Sequence, residues 1–184
     1  MAIEHICPWY VGYIIDNPLR YLVQQPRRML EPHIQPGMTV LDIGCGMGIF
    51  TRAMARMVGD GGRVVAVDLQ QKMLDVLMKR ARRDGTSHRV HPHACEANRL
   101  GIDEQADFGI ACAMVHEVPD KDRLFREILA SLKPGATFLV LEPAGHVTRK
   151  AMDETARVAE DAGFRVQQRN KTWTLHHMLL SRPA

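Results

Sequence analysis

The chain has 184 residues, 46% of them hydrophobic, which is enough apolar material for one packed domain and unlike a disordered chain. Its formal charge of +3, from 24 basic and 21 acidic residues, is too mild to indicate a nucleic-acid partner by itself. No apolar run approaches the roughly 20 residues of a membrane-spanning helix, and the amino terminus lacks a basic stretch followed by an apolar one. We therefore expect a cytoplasmic protein with no membrane partner.

Residues 1–35 are predicted to form an N-terminal helical cap segment. Its first 16 residues are irregular and aromatic, and Asn17-Pro18 is a typical helix start. Pro26 separates that first helix, at 19–23, from a second one at about 27–33. A Pro-Gly turn follows, and residues 36–184 are predicted to form the core of the same domain.

Strands and helices alternate through this core. The strands are near-continuous apolar runs, which is typical of parallel strands buried on both faces. Alternation with helices of this length indicates a mostly parallel sheet covered on both sides. The last two strands have no helix between them and are predicted to form a hairpin. Strands are predicted at 39–43, 63–67, 89–94, 107–113, 136–141, 164–169 and 175–181, and helices at 50–58, 72–83, 121–132 and 148–162.

The most informative segment is VLDIGCGMGIF, residues 40–50, where a buried strand leads into Gly44, Gly46 and Gly48 before a helix begins. In open α/β sheets, ligands bind beyond the carboxyl ends of the strands. Glycines at that point let the backbone turn tightly and approach a ligand without a Cβ in the way. The segment therefore predicts a ligand-binding loop.

The spacing of this loop bears on the class of ligand. The dinucleotide fingerprint is G-x-G-x-x-G, whereas here the third glycine comes one residue earlier and Ile49 takes the dinucleotide position. Asp42, two residues before the first glycine, would repel a diphosphate and attract a sulfonium and an ammonium. Asp68, at the end of the next strand, is well placed to accept hydrogen bonds from both ribose hydroxyls.

At this point the sequence resembles the class I S-adenosylmethionine-dependent methyltransferases, of the small type 11/25 kind. The glycine segment resembles their motif I, and three later segments resemble their second, fourth and fifth strands, in the family's order. The resemblance runs from residue 36 to the end. It implies a doubly wound, Rossmann-like α/β fold with a seven-stranded sheet of order 3-2-1-4-5-7-6 and strand 7 antiparallel. The three later segments are VVAVD at 64–68, ADFGIACAMVHEV at 106–118 and LKPGATFLVLEP at 132–143.

The resemblance further implies S-adenosylmethionine as cofactor and S-adenosylhomocysteine as product. The glycine loop should lie under the methionine part, Asp42 should contact its amino group, Asp68 should hold the ribose and Leu69 should pack on the adenine. The family commonly has an acid after strand 3 that meets the adenine amino group, and here Cys95 or Glu96 takes that place. The residues assigned to the cofactor are Asp42, Gly44, Cys45, Gly46, Gly48, Asp68, Leu69, Cys95, Glu96 and Met114.

Candidates for a general base follow strands 4 and 5. His116 and Glu117 come after strand 4, and a histidine suits proton transfer near neutral pH. The alternative is that both residues only cap and pack the loop. Glu142 and His146, after strand 5, face the same side and are assigned to the substrate.

The acceptor itself is not readable from the sequence. Trp9, Tyr10 and Tyr13 are candidate walls of its site, or they only anchor the N-terminal segment on the core. The chain has few additions to the family core, which favours a small-molecule acceptor. The signatures of DNA amino- and cytosine-5-methylating enzymes are absent, so we do not expect a nucleic-acid substrate. The sequence leaves a homo-oligomer open.

One further feature is an alternating run of possible metal ligands. His91, His93 and Cys95 alternate along a predicted edge strand, a spacing that metal ligands use, but we interpret them as polar edge residues and predict no metal.

The function predicted is methyl transfer from S-adenosylmethionine by in-line displacement. A non-catalytic or partner-dependent methyltransferase-like subunit is the alternative, and an oxidoreductase using nicotinamide or a nucleotide sugar is disfavoured by the glycine spacing.

Overall fold

The computed structural model describes residues 25–184. Trp9, Tyr10, Tyr13 and the helix predicted at 19–23 lie outside this range. The described residues belong to two compact units, one ending at Ala94 and the other beginning at Cys95. From residue 25 onward, no helix combines the length and the apolar character that a bilayer crossing demands.

The first unit alternates helices with three parallel strands. β1 pairs with β2, with Leu41 opposite Val65, and β2 pairs with β3, with Val65 opposite His91. β1 and β2 are almost entirely buried, as their apolar sequences require, whereas β3 is largely exposed. The elements are α1 (Pro26–Leu30), β1 (Thr39–Ile43), α2 (Ile49–Met57), β2 (Arg63–Asp68), α3 (Gln71–Arg83) and β3 (Val90–Ala94).

The two longer helices of this unit are amphipathic and are joined by ion pairs. Phe50 and Met54 lie on the buried face of α2, and Leu74 and Leu77 on that of α3. Asp84, at the end of α3, accepts from the guanidinium groups of two arginines of α2, at 2.6 Å and 2.5 Å. These contacts hold α2, which follows the glycine loop, against α3, which follows β2.

The second unit contains four strands and two helices. β4 and β5 are parallel, and β7 runs antiparallel to both β5 and β6. The strand order of the sheet is β3-β2-β1-β4-β5-β7-β6, which confirms the predicted fold, including the terminal hairpin. The elements are β4 (Ala106–Cys112), α4 (Lys121–Ala130), β5 (Leu132–Pro143), α5 (Arg149–Asp161), β6 (Arg165–Lys171) and β7 (Leu175–Ser181).

Both helices of the second unit begin at side-chain caps. The Asp120 carboxylate accepts from the backbone N–H of Arg123, and the Thr148 hydroxyl accepts from the backbone N–H of Ala151. Each cap satisfies a donor that the first helical turn cannot. Such residues are recognisable in sequence, which is why the starts of both helices were predicted within a residue.

Several element boundaries differ from prediction, most of all at the helix before β1 and at the start of β5. The helix predicted at 27–33 is shorter, at Pro26–Leu30. The helix predicted to reach residue 132 ends at Ala130, and β5 begins at Leu132 instead of residue 136. Pro134 and Gly135 were expected to end the helix, but they lie in an irregularity of β5 where the register against β4 shifts. There the Gly135 N–H donates to the Arg182 carbonyl at 3.1 Å, so the strand continues through the irregularity.

Candidate active site

The glycine loop connects β1 to α2 and is fixed to β2 through its backbone. The N–H groups of Gly44 and Cys45 both donate to the carbonyl of Val67, at 2.8 Å and 3.0 Å. The Gly48 N–H donates back to the Cys45 carbonyl at 3.0 Å. These hydrogen bonds hold the loop against the end of β2.

Gly46 and Gly48 both have positive φ, at +53° and +88°, but they face different surroundings. A Cβ on Gly48 would lie 2.1 Å from Cδ1 of Leu77 in α3, so this glycine permits close packing between the loop and a helix. A Cβ on Gly46 would meet nothing within 4 Å. Open space over bare backbone at Gly46 is what a ligand lying on the loop requires.

Asp68 links the end of β2 to this loop. Its side chain is buried, with Oδ2 accepting from the Gly46 N–H at 2.8 Å and Oδ1 accepting from the Gln70 N–H at 2.9 Å. Burial raises the pKa of Asp68, and the donating N–H groups of Gln70, Gly46 and Leu69 oppose that rise. Each carboxylate oxygen can accept twice, so further donors can be bound after these contacts.

Asp42, in β1, is more deeply buried, at 2% exposed. The Thr51 hydroxyl, from the first turn of α2, donates to its Oδ2 at 2.5 Å. Burial raises the pKa of Asp42 to about 7, the Thr51 hydroxyl opposes the rise and the negative charge of Asp68 adds to it. Thr51 was not predicted as a site residue, because a threonine inside a helix has no distinctive sequence signal.

The remaining cofactor candidates lie in both units. Cys45 is buried and Leu69 is half-buried in the first unit. Cys95 and Glu96 belong to the second unit, where the Glu96 N–H donates to the Arg99 carbonyl at 2.9 Å. Glu96 also lines an open cavity of about 590 Å³ whose walls carry charges of both signs.

The acceptor-side candidates meet at the carboxyl end of β4 and β5. Beyond β4, the Ala113 N–H donates to the Leu141 carbonyl of β5 at 2.7 Å, and a short 3-10 turn follows at Val115–Glu117. In that turn, His116 contacts Glu142 of β5 twice. Its backbone N–H donates to Oε1 at 3.0 Å, and its ring Nδ1 lies 2.6 Å from Oε2.

Burial separates the roles of these two groups. The Glu142 side chain is 1% exposed and that of His116 is 19% exposed, so solvent or a ligand reaches the ring and not the carboxyl. Burial raises the pKa of Glu142, and the His116 ring opposes that rise. The arrangement is a buried carboxyl that orients a partly open imidazole.

The other two predicted residues also lie near the His116 ring. Oε1 of Glu117 is 3.9 Å from its Nε2, and the exposed His146 ring packs edge-on at a centroid distance of 5.0 Å. Met114 is half-buried directly before the turn. The second unit thus brings together four residues that the sequence placed after two different strands.

No metal site accompanies these groups within the part of the chain that the structure describes. His91 and His93 lie on β3, at one end of the strand order, and His91 is exposed. β3 is therefore an edge strand, as the sequence predicted.

A family model for the methyltransferase domain matches residues 40–135. Among curated relatives, a ubiquinone/menaquinone biosynthesis C-methyltransferase UbiE from Vibrio campbellii is 33% identical over 71% of this chain and 49% of its own length. The UbiE protein of Shewanella woodyi is 36% identical over 65% of this chain and 49% of its own length. The chain thus spans about half the length of the curated relatives that it matches.

Solved structures share the fold at lower identity. A SAM-dependent methyltransferase from Aquifex aeolicus superimposes with a TM-score of 0.86 at 24% identity, over 96% of this chain and 99% of that one. The [4+2]-cyclase SpnF gives a TM-score of 0.74 at 19% identity, over 88% and 81% of the two chains. Since one of these neighbours is named as a cyclase, the likeness in fold does not fix the reaction. Together with the matching family model, the fold and the glycine loop show that this chain belongs to the methyltransferase-domain family of class I S-adenosylmethionine-dependent methyltransferases.

Proposed function

We propose that this chain transfers the methyl group of S-adenosylmethionine to a small-molecule acceptor. The observation that carries the proposal is the glycine loop, with open space over Gly46 and the Asp68 carboxylate bonded to its backbone. Family membership supports the methyl donor. The relatives' names, as C-methyltransferases of ubiquinone and menaquinone biosynthesis, support a small-molecule acceptor.

The chemistry of the site suits a cationic ligand. Asp42 and Asp68 bring two carboxyl groups to the ends of β1 and β2, which favours an ammonium and a sulfonium over a diphosphate. We assign the ribose hydroxyls to Asp68, the amino group to Asp42 and the adenine to Leu69. When bound, S-adenosylmethionine supplies an electrophilic methyl group.

On the acceptor side, we assign the general base to His116. Donation from Nδ1–H to the buried Glu142 carboxylate fixes the tautomer and leaves the Nε2 lone pair to accept a proton from the acceptor. A base placed in this way contributes roughly 100- to 10,000-fold to a rate. Glu142 does not contact the acceptor in this assignment and acts by orienting the ring.

The first test is calorimetry of the purified chain with S-adenosylmethionine and, separately, with NADH. We expect binding of the first only, and a large loss of affinity in Asp68→Asn. Asp75→Asn is the matched control, since Asp75 is an exposed aspartate of α3. Absence of binding by the folded chain, or full affinity in Asp68→Asn, would contradict the proposed cofactor site.

The second test follows S-adenosylhomocysteine formation with the small-molecule fraction of a cell extract as acceptor. We expect His116→Ala to lower turnover about tenfold or more, without weakening cofactor binding. His91→Ala, at an exposed position of β3, is the control. Turnover unchanged in His116→Ala would remove this residue from the mechanism. Cofactor binding with no product from any fraction would favour a non-catalytic subunit.

A further inference from the structure

The backbone of Ala113, directly after β4, has an unusual conformation. Its φ is +57°, in the left-handed region that is unfavourable for a residue with a Cβ. Within residues 25–184, nine glycines have a positive φ, and Gln25 and Ala113 are the only other residues that share it. Gln25 lies at the start of α1, in the first unit. Since the chain uses glycine at the other positions of this kind, the strain at Ala113 points to a functional constraint.

Two contacts with β5 fix the chain at Ala113 and three residues later. β4 pairs in parallel with β5, with Cys112 opposite Leu141, and the Ala113 N–H donates to the Leu141 carbonyl at 2.7 Å. The backbone N–H and the ring of His116 then both contact the carboxyl group of Glu142, at 3.0 Å and 2.6 Å. Both contacts are therefore made to adjacent positions of one strand.

An extended chain after β4 could not make both contacts. Continued pairing in the same register would place His116 opposite Gly145, three positions beyond Glu142. That is a displacement of about 10 Å along the strand direction. The left-handed φ of Ala113 and the 3-10 turn at Val115–Glu117 instead turn the chain back toward Glu142. The pairing of His116 with Glu142 therefore depends on the conformation of Ala113.

We infer that Ala113 is a positioning residue, whose left-handed backbone holds the His116 ring with Nδ1 at the Glu142 carboxylate and leaves Nε2 to accept a proton. The inference rests on the proposed function, because it concerns how the chain holds its proposed base. At position 113, asparagine and threonine have similar volumes, but asparagine tolerates the left-handed region and a β-branched residue does not. This pair of substitutions therefore separates the backbone conformation from the size of the side chain.

The test compares wild type, Ala113→Asn and Ala113→Thr by heteronuclear NMR of the histidine ring nitrogens at about pH 8, where the spectrum of a neutral imidazole shows which nitrogen carries the proton. The signals lost in His116→Gln assign the ring. We expect the proton on Nδ1 of His116 in wild type and Ala113→Asn, and a mixture of the two tautomers in Ala113→Thr. Turnover with the small-molecule fraction of a cell extract should fall about tenfold or more in Ala113→Thr, and Ala113→Asn should retain it.

Ala113→Gly decides the matter if Ala113→Thr does not fold. Glycine adopts a positive φ without a steric penalty, so this variant should raise the thermal midpoint by about 1 to 4 °C and keep the proton on Nδ1 of His116. An unchanged or lower midpoint, or a changed tautomer, would overturn the inference.

The outcomes also separate this inference from the proposed function. Equal ring spectra in Ala113→Asn and Ala113→Thr, whether the Nδ1 tautomer is kept or lost in both, would overturn the role of Ala113 alone. Failure of the folded wild type to bind S-adenosylmethionine would instead remove the proposed function. The ring spectra need no acceptor, so they decide whether Ala113 holds His116 in either case.

Discussion

Replacement of Asp42 by asparagine should make the ligand-free protein more stable at neutral and basic pH. The carboxyl is 2% exposed, and burial raises its pKa from an ordinary 3.8 to about 7. Ionising it in the folded state is therefore unfavourable. Asparagine has a similar shape, carries no charge and keeps an oxygen that accepts from the Thr51 hydroxyl.

The magnitude follows from the two pKa values. A group with a raised folded pKa contributes its full stability below the unfolded pKa, and that stability is lost as pH rises through the folded pKa. For Asp42 the loss begins near pH 4 and is complete somewhat above pH 7. A difference of about three in pKa corresponds to roughly 4 kcal/mol as an upper limit, since each unit is worth about 1.4 kcal/mol.

The assay is urea denaturation of ligand-free wild type and Asp42→Asn at about pH 4 and about pH 8. We expect the advantage of the variant to grow by about 2 to 4 kcal/mol between the two conditions. Asp75→Asn, at an exposed position, is the control for removing one negative charge and should show no such growth. A difference between wild type and Asp42→Asn that stays constant with pH would refute the reasoning.

The same carboxyl affects cofactor affinity in the opposite direction, because its ionised form attracts a cationic ligand. Relative to Asp42→Asn, the affinity of wild type for S-adenosylmethionine, measured by calorimetry, should be about tenfold higher near pH 8 than near pH 6. Gly46→Ala should weaken that binding more than it lowers the thermal midpoint, whereas Gly48→Ala should lower the midpoint because its Cβ meets α3. Glu142→Gln should lower kcat about tenfold or more with cofactor affinity and thermal midpoint unchanged, and an unaltered kcat would exclude a positioning role. Deletion of residues 1–16 should impair turnover more than cofactor affinity, and equal losses would indicate plain destabilisation.

Much of the fold could be predicted from local patterns in the sequence. Some features depend only on a few neighbouring residues and can be recognised directly in the sequence. They are the apolar runs of β1 and β2, the caps at Asp120 and Thr148, and the glycine spacing. The start of β5 was misplaced for a related reason. Pro-Gly is a strong local breaker, but pairing with β4 and a hydrogen bond to the distant Arg182 carry the strand through it.

The contacts that could not be predicted join residues far apart in the chain. The pairing of His116 with Glu142 crosses 26 positions, and the bond from Gly46 to Asp68 crosses 22. Neither pair of partners could be recognised until the structure of the sheet showed which residues lie side by side.

On the proposed assignment, the positions of Asp42 and Asp68 account for the preference of the loop for a cationic ligand. Both carboxyl groups are buried, burial raises the pKa of each, and the charge of Asp68 raises that of Asp42 further. A chain optimised for stability alone would not place two acids so close, because each makes ionisation of the other less favourable. A bound cationic ligand favours the ionised form of both acids. Its attraction to the two carboxylates therefore offsets the unfavourable free energy of ionising them side by side. A diphosphate would add a third negative group to the same region, so on this assignment the two carboxyl groups also disfavour a dinucleotide.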